Sequence, residues 1–329
     1  MFEWGGMKMD FSVEQIREAQ ERIAPYAVKT PLLRLESLDP YLGCQVYAKA
    51  ECMQKIGAFK FRGAMNRILS LSGEDLDKGI VAASSGNHGK AIAYGAKMMG
   101  AKAVIVMPRT AAPVKIEAIR ALGAEIVLCD ATERFEVAAK ICDERGSTMI
   151  PPYDDYDVMA GQGTLGLEIM EQCPDMDCVI VPASGGGLIG GVAAAVKGVS
   201  EKTKVFGAEP ALLPRYSESL KAGEPVTVPM PEKKSAADAL VSQRPGLKNF
   251  PVVRKYTDGF AAVEDEFLLK GMKLLLMEGK LLAEPSSCIG IGAVLQGLIP
   301  VKQEEKVCFV ISGGNLGFEQ VEMLKNVVY

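Results

Sequence analysis

Short runs of β-branched and other apolar residues recur along the chain, each followed by a stretch with helical spacing. Gln45–Lys49, Ile80–Ala83, Ala103–Met107, Ile126–Cys129, Val179–Pro182, Lys204–Ala208 and Val307–Ile311 read as strands. Val114–Leu122, Arg134–Arg145, Leu165–Gln172, Asp265–Glu278 and Cys288–Gly297 read as amphipathic helices between and around them. Near the start, Ser12-x-x-Gln15 is a helix-start signature, predicting a helix over 13–25 that Thr30-Pro31 stops. Apolar strands alternating with helices indicate βαβ units, hence an α/β protein whose parallel sheet is covered on both faces.

AKMMGAKAVIVM (96–107) and IRALGAEIVLCD (119–130) repeat the order helix, Gly-Ala, strand, which glycine at a helix C-cap explains without duplication. Cys178 to Val196 carries no charge, and a membrane-spanning helix needs ~20 apolar residues. Pro182, Ser184 and five glycines (185, 186, 187, 190 and 191) interrupt it, so strand–turn–helix is the reading and no membrane is crossed.

Composition then narrows the chemistry. With 329 residues the chain makes two domains or one large α/β unit. No Gly/Ser linker separates two halves, so two domains would be crossed by the chain more than once. A net charge of −4 with interleaved signs provides no basic face for nucleic acid. The one histidine, His88, excludes HExxH zinc sites and multi-histidine metal cages. The eight cysteines form no CxxC pair and read as reduced thiols of a cytoplasmic protein. MFEWGGMKMDF has no basic stretch leading into an apolar one, so no secretory leader is expected.

Three glycine-rich turns follow strands: Ser84-Ser85-Gly86-Asn87-His88-Gly89, Ser184-Gly185-Gly186-Gly187-Leu188 and Ser312-Gly313-Gly314-Asn315. In open parallel sheets ligands bind beyond the carboxyl ends of strands, where helix N-termini attract anions. Read alone, SGGGL and SGGN are equally tight turns, and neither has the P-loop or GxGxxG register. SSGNHG concentrates hydroxyls, an amide and the only imidazole beside backbone donors, an anion-binding nest. In Phe59-Lys60-Phe61 the lysine is either a snorkelling side chain or a desolvated amine suited to Schiff-base chemistry.

Taken in order, QKIGAFKFRGA (54–64), SSGNHG, AGQGT (160–164), PASGGGLIGG (182–191), EPSSCIG (284–290) and ISGGN (311–315) resemble the fold-type-II pyridoxal-phosphate enzymes. The nearest resemblance is to the threonine dehydratase and serine racemase family, from Thr30-Pro31 to Ser312, in a short form without a C-terminal regulatory domain. It implies a two-domain fold like that of tryptophan synthase β, with a large cofactor-binding domain (1–75 and 157–329) and a small mobile domain (76–156). It also implies a cytoplasmic homodimer acting on a small amino acid.

The resemblance also assigns roles. Lys60 holds pyridoxal 5'-phosphate as a Schiff base and takes the Cα proton. Phe59 lies against the ring, Asn87 meets the ring hydroxyl oxygen, and Ser312 meets the ring nitrogen. Ser184, Gly185, Gly186, Gly187 and Leu188 cradle the phosphate. Ser84, Ser85, Asn87 and His88 hold the substrate carboxylate, His88 by orienting the loop or donating, with acid–base catalysis its lesser alternative. Arg134 and Ser242 face the substrate. A hydroxyl at the ring nitrogen makes a weak electron sink and favours elimination. The implied reaction is loss of water and then ammonia from L-threonine or L-serine, leaving a 2-oxo acid. Serine racemase is the alternative, with Ser85 as second catalytic residue, as is a dehydratase for hydroxyaspartate or phenylserine.

The chain departs from the family pattern at several places. Ser184 replaces the first glycine of the phosphate loop. Ala239 replaces a glycine in Ala-Asp-Ala-Leu (237–240). Lys90 stands where animal serine racemases place a Gln against ATP, arguing against nucleotide activation. The family's metal positions fall on Glu209, Leu213 and Arg215, and an arginine there argues against a metal.

Overall fold

The computed structural model describes residues 11–329 and, before them, only the backbone of two short strands, β1 (Glu3–Trp4) and β2 (Met7–Lys8). Apart from the backbone of those two strands, the segment read as lacking a leader lies outside the described residues up to Phe11. The remaining strands are β3 (Leu32–Arg34), β4 (Gln45–Ala50), β5 (Ile80–Ala83), β6 (Ala103–Pro108), β7 (Glu125–Cys129), β8 (Thr148–Met149), β9 (Cys178–Pro182), β10 (Lys204–Pro210), β11 (Gly259–Val263) and β12 (Lys306–Ile311). They form a six-stranded sheet of order β11-β10-β9-β12-β4-β3 and a four-stranded sheet of order β7-β6-β5-β8. Every pairing in both is parallel except β3 on β4. The expected α/β architecture with parallel strands is present, divided between two sheets, one of which adds an antiparallel edge strand.

The central strands show why their apolar runs are continuous. In β12, Val307, Phe309 and Ile311 enter one core cluster while Cys308 and Val310 enter another on the opposite face. β9 alternates in the same way, Cys178 and Ile180 against Val179 and Val181. Successive strand residues face opposite sides, so a run apolar at every position means helices on both faces. In the smaller sheet Ile80 and Ala82 face one cluster, Val81 and Ala83 the other.

Besides β1 and β2, three strands of the two larger sheets were not anticipated. β3 is a short antiparallel edge, β8 has two residues, and β11 opens on Gly259, so none carries a periodic signal. The helix expected over 13–25 spans Val13–Ile23, and the Ser12 N–H donates to Gln15 Oε1 at 2.8 Å as its start signature predicts. The repeat resolves into two left-handed glycines behind helices: Gly100, the C-cap of helix Asn87–Met99, at φ +67°, and Gly123, two residues past the C-cap Ala121 of helix Pro113–Arg120, at φ +89°.

The helix expected from Leu165 begins nine residues earlier and runs Tyr156–Gln172. Gly161, Gly163 and Gly166 lower its intrinsic propensity. They are needed for packing: a Cβ on Gly161 would stand 2.6 Å from the Arg62 carbonyl oxygen, and one on Gly163 2.8 Å from that of Gly191. The AGQGT run therefore lets this helix cross helices Lys60–Leu69 and Gly187–Val199 at close range.

Four buried charges lock this region beneath the strand ends. Arg62 takes Glu51 through Nε and a terminal nitrogen, both at 2.8 Å, and Glu168 at 2.7 and 2.9 Å. Lys49 Nζ donates to Glu168 Oε2 at 2.5 Å and to the Thr30 carbonyl at 2.7 Å. Thr164 accepts from Arg62, and Thr30 Oγ1 donates to Glu51. Burial alone would push the Glu51 carboxyl up; Arg62 overrides it and holds it below the usual carboxylate range. No helix among the described residues is long and apolar enough to cross a membrane. All eight cysteines are unpaired thiols.

Candidate active site

Five strands deliver their carboxyl ends to one place. The connection after β4 runs antiparallel to the one after β12: Ala58 bridges Gly313, the Phe59 N–H donates to the Ser312 carbonyl at 2.9 Å, and the Gly314 N–H donates to Gly57 at 2.9 Å. Asn315 Nδ2 then reaches the Ile56 carbonyl and Asn87 Oδ1, both at 2.8 Å, tying in the turn after β5. The Pro152 carbonyl, beyond β8, accepts from Lys60 Nζ at 2.5 Å. Tyr153 lies on the turn after β9, where a Cβ on Gly185 would fall within 2.5 Å of its ring. Ile56 sits at φ +63°, a strained conformation for a β-branched residue that its neighbours must hold in place.

Lys60 begins helix Lys60–Leu69 at the floor of this convergence, its Nζ 5.1 Å from the centre of the Phe59 ring. Burial draws its ammonium down to about 8, against the opposing pull of Glu284. Near neutral pH a useful fraction of Lys60 is therefore free amine, where an exposed lysine would be almost wholly charged. Glu284 is itself buried and rises to about 7, burial and Asp238 pushing it up while Asn87 pulls it down. The Asn87 amide donates to both Glu284 oxygens at 3.1 Å.

His88 points into the protein. Its Nε2 is 2.9 Å from the Ile150 carbonyl, and its Nδ1 is buried without a partner. Burial, with Lys60 nearby, lowers it to about 3, so the ring is neutral. A carbonyl only accepts, so the proton sits on Nε2 and Nδ1 is a bare acceptor. His88 thereby fixes the turn to β8, and its neutral ring has no second N–H to donate. Ser84 Oγ accepts from the Gly86 N–H at 3.3 Å. Among the described residues Ser85 has no side-chain partner. Both precede helix Asn87–Met99, whose N-cap, Gly86, supplies no side-chain cap.

The turn after β9 is built for close approach to its main chain. Gly186 has φ +107°, and a Cβ there would fall 1.9 Å from Tyr216 Oη, so only glycine fits. Three donors hold the Gly185 carbonyl: the Gly246 N–H at 2.9 Å, Asn249 Nδ2 at 3.0 Å and Tyr216 Oη at 3.3 Å. Helix Gly187–Val199 starts here with no side-chain cap, so its first N–H groups, with Leu188 among them, are available to an anion. Ser184 Oγ accepts from the Ser242 N–H at 3.2 Å, which brings those two expected residues together.

Behind this turn lies Arg215, fully buried, donating to the Ala183 carbonyl and the Leu240 carbonyl, each at 2.9 Å. It thus joins the phosphate-type turn to the 237–242 segment. Glu209 spends both oxygens on Tyr216 and Ser217 donors. A committed carboxylate beside a guanidinium does not suit a divalent cation.

Ser312 is buried, its hydroxyl 2.9 Å from that of Ser287. Arg134 stands apart from these contacts: its guanidinium lies 5.1 Å from the Phe135 ring, and its Nε is buried without a partner. Sequence reasoning gave no role to Glu284, Ser287, Asn315 or Pro152. The first three lie inside quoted motifs, whereas nothing local marks Pro152.

The arrangement suits a phosphorylated aromatic aldehyde. It offers a desolvated amine, a main-chain anion cradle that excludes side chains, an aromatic neighbour and a buried hydroxyl. The family model described as pyridoxal-phosphate dependent enzyme matches residues 23–313. L-threonine ammonia-lyase of Thermotoga maritima is 39% identical over 317 residues, 96% of this chain and 78% of that one. L-threo-3-hydroxyaspartate ammonia-lyase of Saccharomyces cerevisiae is 38% identical over 315 residues, 94% of each. Maize serine racemase superposes with a TM-score of 0.90 at 38% identity, over 95% of this chain and 96% of that one. With the amine, the cradle and the two-sheet fold all in place, the chain belongs to the pyridoxal-phosphate-dependent enzymes of fold type II.

Proposed function

We propose that this protein is an ammonia-lyase that converts a 3-hydroxy amino acid, L-threonine or L-serine, to a 2-oxo acid. The observation that carries this reading is Lys60, an amine drawn down to about 8 where five strand ends meet. When bound, the cofactor supplies an electron sink for charge developing at the substrate Cα. Lys60 Nζ would hold the cofactor, and its amine would take the substrate Cα proton; a pKa near the working pH favours such transfer. The N–H groups of Ser184 to Leu188 hold the phosphate, Phe59 covers the ring, and Asn87 meets the ring hydroxyl. Ser312 would meet the ring nitrogen as a neutral partner, leaving the ring a weaker electron sink, which suits elimination. Ser84, Ser85 and Asn87 offer hydroxyls, amide and main-chain donors to the substrate carboxylate, with His88 fixing their turn. Ser242, held beside Ser184, would face the substrate, whereas Arg134 would have to come in from outside these contacts to do so.

Racemisation of serine is the second reading, favoured by the unpartnered Ser85 hydroxyl, which would serve as a second catalytic group. A panel of L- and D-serine, L- and D-threonine and threo-3-hydroxyaspartate tests both. Oxo acid should form from L-threonine or L-serine without exchange of enantiomers. Exchange outrunning oxo acid would replace the lyase reading with the racemase. Silence on serine and threonine would move the substrate to hydroxyaspartate or phenylserine.

The enzyme is further proposed to work in the cytoplasm as a homodimer, the 76–156 unit closing over the substrate. Pro152 and Tyr153 leave that unit to touch Lys60 and the phosphate turn, so its movement would open the site.

Arg215 supplies a built-in cation where the family places a metal. Treatment with EDTA should leave turnover unchanged, and activity lost and then restored by Mg²⁺ would contradict this. Arg215→Met strands two buried carbonyls, each hydrogen bond to a charged group being worth ~1.5–3 kcal/mol. It should weaken cofactor binding about tenfold or more in an equilibrium titration.

A further inference from the structure

The EPSSCIG segment contains a residue with no part in the scheme above. Ser287 is 1% exposed, in the turn of 3-10 helix Pro285–Cys288. Its Oγ accepts from the Gly313 N–H at 2.8 Å, stands 2.9 Å from the Gly313 carbonyl, and stands 2.9 Å from Ser312 Oγ. Ser287 is the side-chain partner of the Ser312 hydroxyl. We propose that Ser287 is the positioning residue for Ser312, the two hydroxyls forming a relay that lets Ser312 face the cofactor's ring nitrogen either as donor or as acceptor. This rests on the reading of Ser312 as the ring nitrogen's partner.

The two hydroxyls have two protons to place. A serine hydroxyl donates once and accepts up to twice. In one arrangement Ser287 donates to the Gly313 carbonyl, and Ser312 donates to Ser287. Ser312 then presents only lone pairs outward and accepts from a protonated ring nitrogen. In the other, Ser287 donates to Ser312, and Ser312 donates outward to an unprotonated nitrogen. The Gly313 carbonyl keeps the Glu284 N–H, at 3.0 Å, in both. Neither arrangement leaves a buried polar group bare, so they interchange by turning two O–H bonds with no heavy-atom movement. A hydroxyl that receives a hydrogen bond is also the stronger donor. Without Ser287, Ser312 would have to meet the nitrogen with no group behind it.

The test compares Ser287→Ala, Ser312→Ala and the double variant, each as holoenzyme. The readouts are the dissociation constant for pyridoxal phosphate and the pH dependence of the bound cofactor's visible absorption. Ser312→Ala should weaken cofactor binding about tenfold and move the pH profile. Ser287→Ala should do the same to a smaller degree, about three- to tenfold, lowering kcat more than it raises KM. The double variant should be no worse than Ser312→Ala, because the second hydroxyl acts through the first. Ser287→Cys, close in volume but a weak donor, should move both readouts in the same direction and serves if the alanine variant does not fold.

If Ser312→Ala leaves binding and spectrum unchanged, the assignment of Ser312 to the ring nitrogen fails. If Ser312→Ala moves them while both Ser287 variants match wild type, the relay fails and that assignment stands. Additive effects in the double variant would equally overturn the relay.

Discussion

Lys60→Ala should lose turnover by ~10⁴-fold or more, the upper end of what one positioned proton-transfer group contributes. Its bound cofactor should absorb as the free aldehyde. The same side chain makes a second, pH-based expectation. Cofactor capture requires the neutral amine, and burial sets its titration at about 8. The lysine is charged below that value and neutral above it. Reconstitution of the apoenzyme should therefore quicken roughly tenfold per pH unit up to about 8 and then level off, where an ordinary lysine would keep climbing to ~10.4. A stopped-flow titration reads this directly. A profile still rising well above pH 8 would show that Lys60 is not desolvated as its surroundings require.

The second large effect is on stability. Arg62→Met should cost ~3–5 kcal/mol, because it leaves Glu51 buried without its bidentate partner. A domain's whole stability is only ~5–15 kcal/mol, so denaturant unfolding should move far to lower concentration. Glu51→Gln should be nearly as harmful. The double variant should cost less than the sum of the two, since Lys49 and Glu168 remain paired at 2.5 Å. A single-site loss below ~1 kcal/mol would place the quartet with surface ion pairs, whose worth is of that order.

Arg62 also illustrates what the amino-acid pattern conveys and what it withholds. Its motif marks the neighbouring Lys60, yet Arg62 works below the site, against Glu51 and Glu168. β9 and β12 were legible because burial on both faces demands apolar residues at every position. β3, β8 and β11 were not, being short or at an edge, where pairing rather than side-chain pattern makes the strand. The start of helix Tyr156–Gln172 was hidden by the glycines that allow its close packing. At the site, single turns were legible because glycines and hydroxyls cluster locally. Their cross-links were not: Asn87 meets Glu284 across 197 positions, and Ser287 meets Ser312 across 25. Which motif touches which is decided by strand order, and strand order leaves no local trace. The His88 tautomer likewise depends on one carbonyl, Ile150, that no motif contains.

The position of β12 has a consequence for how the enzyme is made. It is the last strand in the chain, yet it lies between β9 and β4, where Phe309 faces both Ile180 and Ala48. Until residues 306–311 leave the ribosome, the large sheet is two separate pieces, β3–β4 and β9–β11. Ala58 and Phe59, beside Lys60, then have no Ser312 and Gly313 to pair with. At ~5–20 residues per second, the glycine cradle is synthesised several seconds before the strand that completes the lysine's surroundings. A nascent chain thus carries the glycine turn after β9 before the surroundings of Lys60 are finished, and those surroundings are complete only once β12 has joined the sheet.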